Sequence, residues 1–76
     1  MKHGIRISYS WGDTEPVIYR ATIEDAWKYA KELAIDEAEV TCREWECSVE
    51  LYLNEEKNRI TLRYLYDGSE CYYDVF

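Results

Sequence analysis

From Trp45 to its last residue the chain alternates, and that pattern limits the fold more than anything else in it. Trp45, Cys47, Val49, Leu51 and Leu53 are apolar, with Glu44, Glu46, Ser48, Glu50 and Tyr52 between them. Asn54–Lys57 is a polar break. Ile60, Leu62, Tyr64 and Tyr66 then alternate with Arg59, Thr61, Arg63 and Leu65. After Asp67-Gly68, Cys71, Tyr73 and Val75 alternate with Glu70, Tyr72, Asp74 and Phe76. Successive side chains of a strand point to opposite faces, so this predicts three half-buried strands joined by two turns. Asp-Gly is the signature of a two-residue hairpin loop, which sets Tyr66 opposite Ser69, Tyr64 opposite Cys71 and Leu62 opposite Tyr73. Closure at Asn54–Lys57 sets Leu53 opposite Asn58, Leu51 opposite Ile60 and Val49 opposite Leu62. The two turns independently bring the apolar residues to one face, and a one-residue slip in either would scatter them.

The first part of the chain adds two strands and a helix. Ile5, Ile7, Tyr9 and Trp11 alternate with Arg6, Ser8 and Ser10, and Gly12-Asp13-Thr14 is a turn. Val17, Tyr19 and Ala21 resume the apolar face. Pairing Tyr9 with Val17 and Ile7 with Tyr19 requires an odd-length, Gly-containing, bulged turn. Thr22 is placed to cap a helix, with Glu24 and Asp25 in the first turn where the helix dipole favours anions. Ile23, Ala26, Trp27, Ala30, Leu33, Ala34 and Ala38 recur at helical spacing. No Gly or Pro marks the end of this helix, which the periodicity puts at Val40 to Cys42.

The element order is therefore β-β-α-β-β-β, an α+β fold in one domain spanning residues 1–76, with one helix on one face of a mainly antiparallel five-stranded sheet. A helix returning the chain makes the second and third strands run parallel. With the first strand between them, the expected sheet order is 2-1-3-4-5, leaving the fifth strand at an edge. Many unrelated small domains share this element order, so it does not name a function.

Composition narrows the function classes. No apolar run approaches the ~20 residues of a membrane span, and no apolar stretch follows Met-Lys-His-Gly, so the expectation is a cytoplasmic protein without a signal peptide or membrane contact. Three cysteines, Cys42, Cys47 and Cys71, cannot all pair with one another. Their spacing lacks a second pair or a His pair for zinc, so they read as free thiols packing as small hydrophobes. One histidine, His3, leaves no Ser or Cys–His–Asp constellation, and there is no phosphate-binding or dinucleotide glycine motif. Paired carboxylates such as Glu50 and Asp74 lack a concave, dry setting on a single-helix sheet. The expectation is a non-enzyme without cofactor or metal.

Two surfaces remain. The sheet face away from the helix should carry Glu44, Glu46, Ser48, Glu50, Tyr52, Arg59, Thr61, Arg63, Leu65, Glu70, Tyr72, Asp74 and Phe76. The register places Arg63 between Ser48 and Tyr72, Arg59 between Tyr52 and Phe76, Thr61 between Glu50 and Asp74, and Leu65 between Glu46 and Glu70. Its plain reading is a solvated face laced by cross-strand charge pairs and cation–π contacts. Its functional reading is a docking surface, because Tyr and Arg anchor interfaces, and this chain has 8 Tyr against 1 Phe.

The second surface is acidic. The formal charge is −7, and residues 21–50 hold nine acids against three bases. Such a balance argues against direct contact with nucleic acid. Asp36, Glu37, Glu39, Glu44 and Glu46 form an acidic ridge at the helix end, with Ile35 beside it as an apolar anchor and Glu37 closest to the buried stripe. Carboxylates on a rigid element can stand in for phosphates and recruit a basic groove. The functional expectation is a small protein-binding inhibitor that occupies a basic, nucleic-acid-binding surface of a partner protein. A phage or mobile-element anti-defence protein, such as an anti-CRISPR or anti-restriction factor, is its concrete form. The candidate contact residues are Asp36, Glu37, Glu39, Glu44, Glu46, Glu50, Tyr52, Glu70, Tyr72 and Asp74. The alternative is a non-inhibitory interaction or self-assembly domain, such as a homodimer, using the edge strand and the Tyr-rich face.

Overall fold

Both C-terminal hairpins close over four residues, each ending in a residue with positive φ. In the computed structural model, which describes residues 2–76, these residues are Asn58 (φ 50°) and Gly68 (φ 76°). Asn54 accepts from the Lys57 amide at 3.2 Å through its side-chain oxygen, and Asp67 accepts from the Ser69 amide at 2.8 Å. Gly68 thus serves as the left-handed last residue of a longer loop, and the Asp-Gly pair is not a two-residue turn. Both registers move by two residues as a result. Val49 lies opposite Tyr64, Leu51 opposite Leu62 and Leu53 opposite Ile60, while Leu62 lies opposite Cys71 and Ile60 opposite Tyr73. A shift of two keeps every side chain on its face, so the apolar faces stand as the alternation predicts.

The elements are β1 (His3–Tyr9), β2 (Ile18–Arg20), α1 (Ile23–Trp45), β3 (Val49–Asn54), β4 (Arg59–Tyr64) and β5 (Glu70–Val75). This is the β-β-α-β-β-β, α+β arrangement read from the sequence, and α1 packs against all five strands. Thr22 caps α1 as expected, its hydroxyl accepting from the Asp25 amide at 3.1 Å. The helix runs past Cys42 to Trp45, and Glu46 then takes the left-handed conformation (φ 49°, ψ 38°). Trp45, Glu44 and Cys47 therefore do not belong to a strand, and β3 starts only at Val49.

The sheet order is β2-β1-β5-β4-β3, every neighbouring pair antiparallel. The expected order 2-1-3-4-5 is thus overturned. β5 is central, bonded to β1 on one side and β4 on the other, and β3 takes the edge. A helix of 23 residues is roughly 34 Å long, enough to carry the chain past the position beside β1 to the far edge. The β3–β4–β5 meander then fills inward until β5 reaches β1. The first hairpin has the expected odd-length, Gly-containing turn, but not the expected register of Tyr9 with Val17 and Ile7 with Tyr19. It closes through a three-residue, Gly-containing loop, with the Tyr9 amide donating to the Asp13 carbonyl at 2.9 Å. The Glu15 amide then bonds the Ile7 carbonyl, yet Ile5 lies opposite Ile18. One side advances two residues while the other advances three, so Pro16 and Val17 together face the single residue Arg6. That bulge turns Ile18 inward and leaves Tyr19 55% exposed.

The core joins Ile5, Ile7, Ile60, Leu62, Tyr64, Cys71, Tyr73 and Val75 to Ala26, Ala30 and Ala34 of the helix. Three alanines on successive turns let α1 lie close on the sheet, and Ile23, Trp27 and Leu33 close its flanks. On the far side, the Phe76 ring lies over Gly4, where an added Cβ would come within 2.4 Å of it. Among the described residues no helix is long and apolar enough to cross a membrane.

Candidate partner-binding site

The ten residues singled out as partner-binding fall into two sets separated by the sheet. Glu50, Tyr52, Glu70, Tyr72 and Asp74 stand on the open face. Asp36, Glu37, Glu39 and Glu44 ride on α1, and Glu46 is its left-handed end residue.

The open face is internally satisfied. The two-residue shift puts Arg63 between Glu50 and Glu70, Thr61 between Tyr52 and Tyr72, and Arg59 between Asn54 and Asp74. These pairings replace the neighbours expected for Arg63, Thr61 and Arg59. Leu65 lies in the β4–β5 loop and pairs through its amide with the Ser48 carbonyl. Arg59 grips Asp74 with two donors, at 2.6 and 3.1 Å, and its guanidinium stacks over Tyr72 at 4.6 Å. The Arg59 pKa is raised by that hydrogen bond. Arg6 lies opposite Asp74 from β1 and covers Phe76 at 5.0 Å. Tyr72 donates to Glu70 at 2.9 Å, and Tyr52 donates to Glu50. Each bond holds its phenol proton and raises the tyrosine pKa. With Arg6, Arg59 and Arg63 against Glu50, Glu70 and Asp74, this face balances its charge. The net −7 therefore lies on the helix side and in the turns.

Among the described helix-end carboxylates, none has an arginine or lysine within 4.0 Å. Among the described residues the ion pair within 4.0 Å is Arg59–Asp74 alone. Asp36, Glu39, Glu44 and Glu46 are exposed, Glu37 is half-buried, and Ile35 between them is 46% exposed. Glu37 sits nearest the core, as expected, and accepts from the Thr41 hydroxyl at 3.4 Å.

The same end of the molecule holds a feature the sequence reading missed. Where the β1–β2 turn, the β4–β5 turn and the last turn of α1 meet, five aromatic rings line a hollow of about 480 Å³. Tyr9 and Trp11 stack at 4.7 Å, Trp11 and Tyr64 are 6.4 Å apart, Tyr64 and Tyr66 are 6.2 Å apart, and Tyr66 and Trp45 are 6.4 Å apart and nearly parallel. Tyr64 is buried, whereas Trp11, Tyr66 and Trp45 are 54%, 60% and 70% exposed. Asp13, Glu15 and Glu37 share the lining. Asp13 fixes the Trp11 indole N–H at 2.7 Å, and Glu15 accepts from Tyr9 at 3.2 Å. Burial raises the pKa values of Tyr9 and Tyr64, so both rings stay neutral.

The alternation in the sequence places Trp45 and Tyr66 on strands facing the core and Trp11 at the end of a strand. The helix extension and the longer β4–β5 loop move the first two out to the surface. One signal was legible: Trp11 adjoins Gly12 and Tyr66 adjoins Asp67-Gly68, and both turns lie at the same end of an antiparallel sheet. Compared with known proteins, the chain matches no family model, no curated protein and no solved structure.

Proposed function

We propose that this chain is a protein-binding module whose helix-end carboxylates occupy a basic surface of a partner, of the kind that proteins use to hold nucleic acid. In its most specific form it is an inhibitor of the anti-restriction or anti-CRISPR type, displacing phosphate with carboxylate. One observation carries the reading: the acid surplus is segregated. On the open face three arginines equal three carboxylates in number and lie in register with them, while Asp36, Glu37, Glu39, Glu44 and Glu46 crowd the helix C-terminal half with only Arg43 among them. The helix dipole is negative there, so Glu44 and Glu46, in and just after the last turn, cost stability, roughly 0.3–1 kcal/mol each. Solubility alone does not require the charge at the one end where it opposes the dipole.

Affinity capture from the native host at low and high salt tests this, with duplex DNA as competitor. Binding is expected to fall steeply with salt, to yield to DNA, and to drop at least tenfold when Glu39, Glu44 and Glu46 are all replaced by Lys. Undiminished capture by that variant removes the proposal.

A second reading, assembly through a sheet edge, is supported by one observation at β3. Leu51, Tyr52 and Leu53 of this edge strand are 40%, 47% and 51% exposed, and exposed apolar edge strands attract further strands. The edge belongs to β3, and not to β5 as the sequence suggested.

A further inference from the structure

We propose that the aromatic hollow is a receptor for an arginine side chain presented by a partner protein; this rests on the basic-partner reading above and names the group that it would engage. The hollow combines flat π-faces with carboxylates, and none of the described residues lining it is basic. Trp11, Tyr66 and Trp45 keep most of their surface in water, which is costly for rings of this size unless something covers them. Aromatic faces attract cations through their quadrupole, most strongly when the cation loses its water. Asp13, Glu15 and Glu37 add net negative charge within the same lining, and each still has lone pairs beyond its single internal hydrogen bond.

Arginine fits this combination better than other cations. Its guanidinium is planar, stacks on rings, is weakly hydrated, and presents a fork of donors to a carboxylate. A lysine ammonium is strongly hydrated and gains less from the rings. A quaternary ammonium would use the rings but has no N–H for the carboxylates. Glu37, Thr41 and Trp45 of the acidic helix half form part of the lining, so an arginine on a basic surface that meets the ridge has the hollow beside it.

The test is an NMR titration of the indole N–H signals of Trp11 and Trp45 with the capped tripeptide Gly-Arg-Gly. Its lysine and citrulline counterparts are controls, and citrulline keeps the planar shape without the charge. The arginine peptide is expected to shift Trp11 and Trp45 but not Trp27, with saturable binding at least threefold tighter than for lysine and none for citrulline. Trp45→Ala and Glu37→Gln should each weaken it about fivefold or more. Glu55→Gln together with Glu56→Gln, at the opposite end of the sheet, should leave it unchanged. Equal shifts by arginine and citrulline, or full binding by Trp45→Ala, overturn the proposal. The variant with Lys at 39, 44 and 46 separates the two ideas. Loss of partner capture with retained tripeptide shifts supports both. Partner capture that survives in this variant removes the ridge, whereas absence of tripeptide shifts in the wild type removes the hollow.

Discussion

Single residues show how closely the core constrains this small chain. Cys71 has no exposed surface and lies among Leu62, Tyr64 and Tyr73 in the central strand. Burial pushes its thiol from an ordinary value of 9.0 up to about 11, because the thiolate would lose its water. Tyr9, Tyr64 and Tyr73 are raised chiefly for the same reason. For a group whose neutral form is the folded one, the stabilisation is complete below the unfolded pKa. It is lost as pH climbs towards the folded pKa, since the unfolded chain gives up its proton first. Stability should therefore hold from pH 7 to about 9 and then fall by up to ~1.4 kcal/mol per pH unit for the thiol alone, steepening above pH 10 as the phenols join. Urea midpoints across this range measure it, and Cys71→Ser should flatten the first part of the decline. A flat profile to pH 10 contradicts this account.

At the scale of elements, the helix end and the hairpin loops decide which side chains reach the surface. Thr22, Glu24 and Asp25 announced the start of α1, because capping uses local side-chain chemistry. Nothing announced its end, since Glu46 performs in left-handed conformation a task that Gly performs without strain. Replacing Glu46 with Gly should accordingly stabilise the fold by about 0.5–1 kcal/mol, read as a higher urea midpoint with unchanged slope. A loss of stability would mean that the Glu46 side chain contributes a contact that outweighs its backbone strain. The hairpins teach a related lesson. Asp-Gly fits a two-residue turn, but Gly is equally suited to the last position of a four-residue loop, where Asn58 serves in the other hairpin. The apolar pattern cannot choose between registers two residues apart, because both keep each side chain on its face.

Across the whole molecule, strand order and charge placement set the available contacts. β5, with Cys71, Tyr73 and Val75 all buried, has neighbours on both sides, so it offers no free backbone. β3 does, and its Leu51 and Leu53 extend beyond the cover of α1. If β3 mediates assembly, light scattering with size exclusion will show a dimer at high concentration that Leu51→Lys with Leu53→Lys returns to monomer. A monomer throughout leaves the helix-end surface as the single candidate. Of the candidate residues named from sequence, Asp36, Glu39, Glu44 and Glu46 are exposed on the helix side, whereas on the open face Asp74 is ion-paired with Arg59 and Glu50 and Glu70 accept from Tyr52 and Tyr72, with Arg63 between them in register.

The amino-acid sequence by itself determined the element order, the capped start of the helix, the core and open faces of the meander, and the acidic bias of the middle third. These follow from local chemistry and from side-chain period, which neighbours along the chain define. Only the tertiary structure decided that β5 lies at the centre, that the open face balances its charge, and that Trp11, Tyr66 and Trp45 meet at one end. Those outcomes depend on how far a helix carries the chain across the sheet and on where two loops and a helix end coincide in space. Contacts between residues distant in sequence carry that information, and no local pattern encodes it.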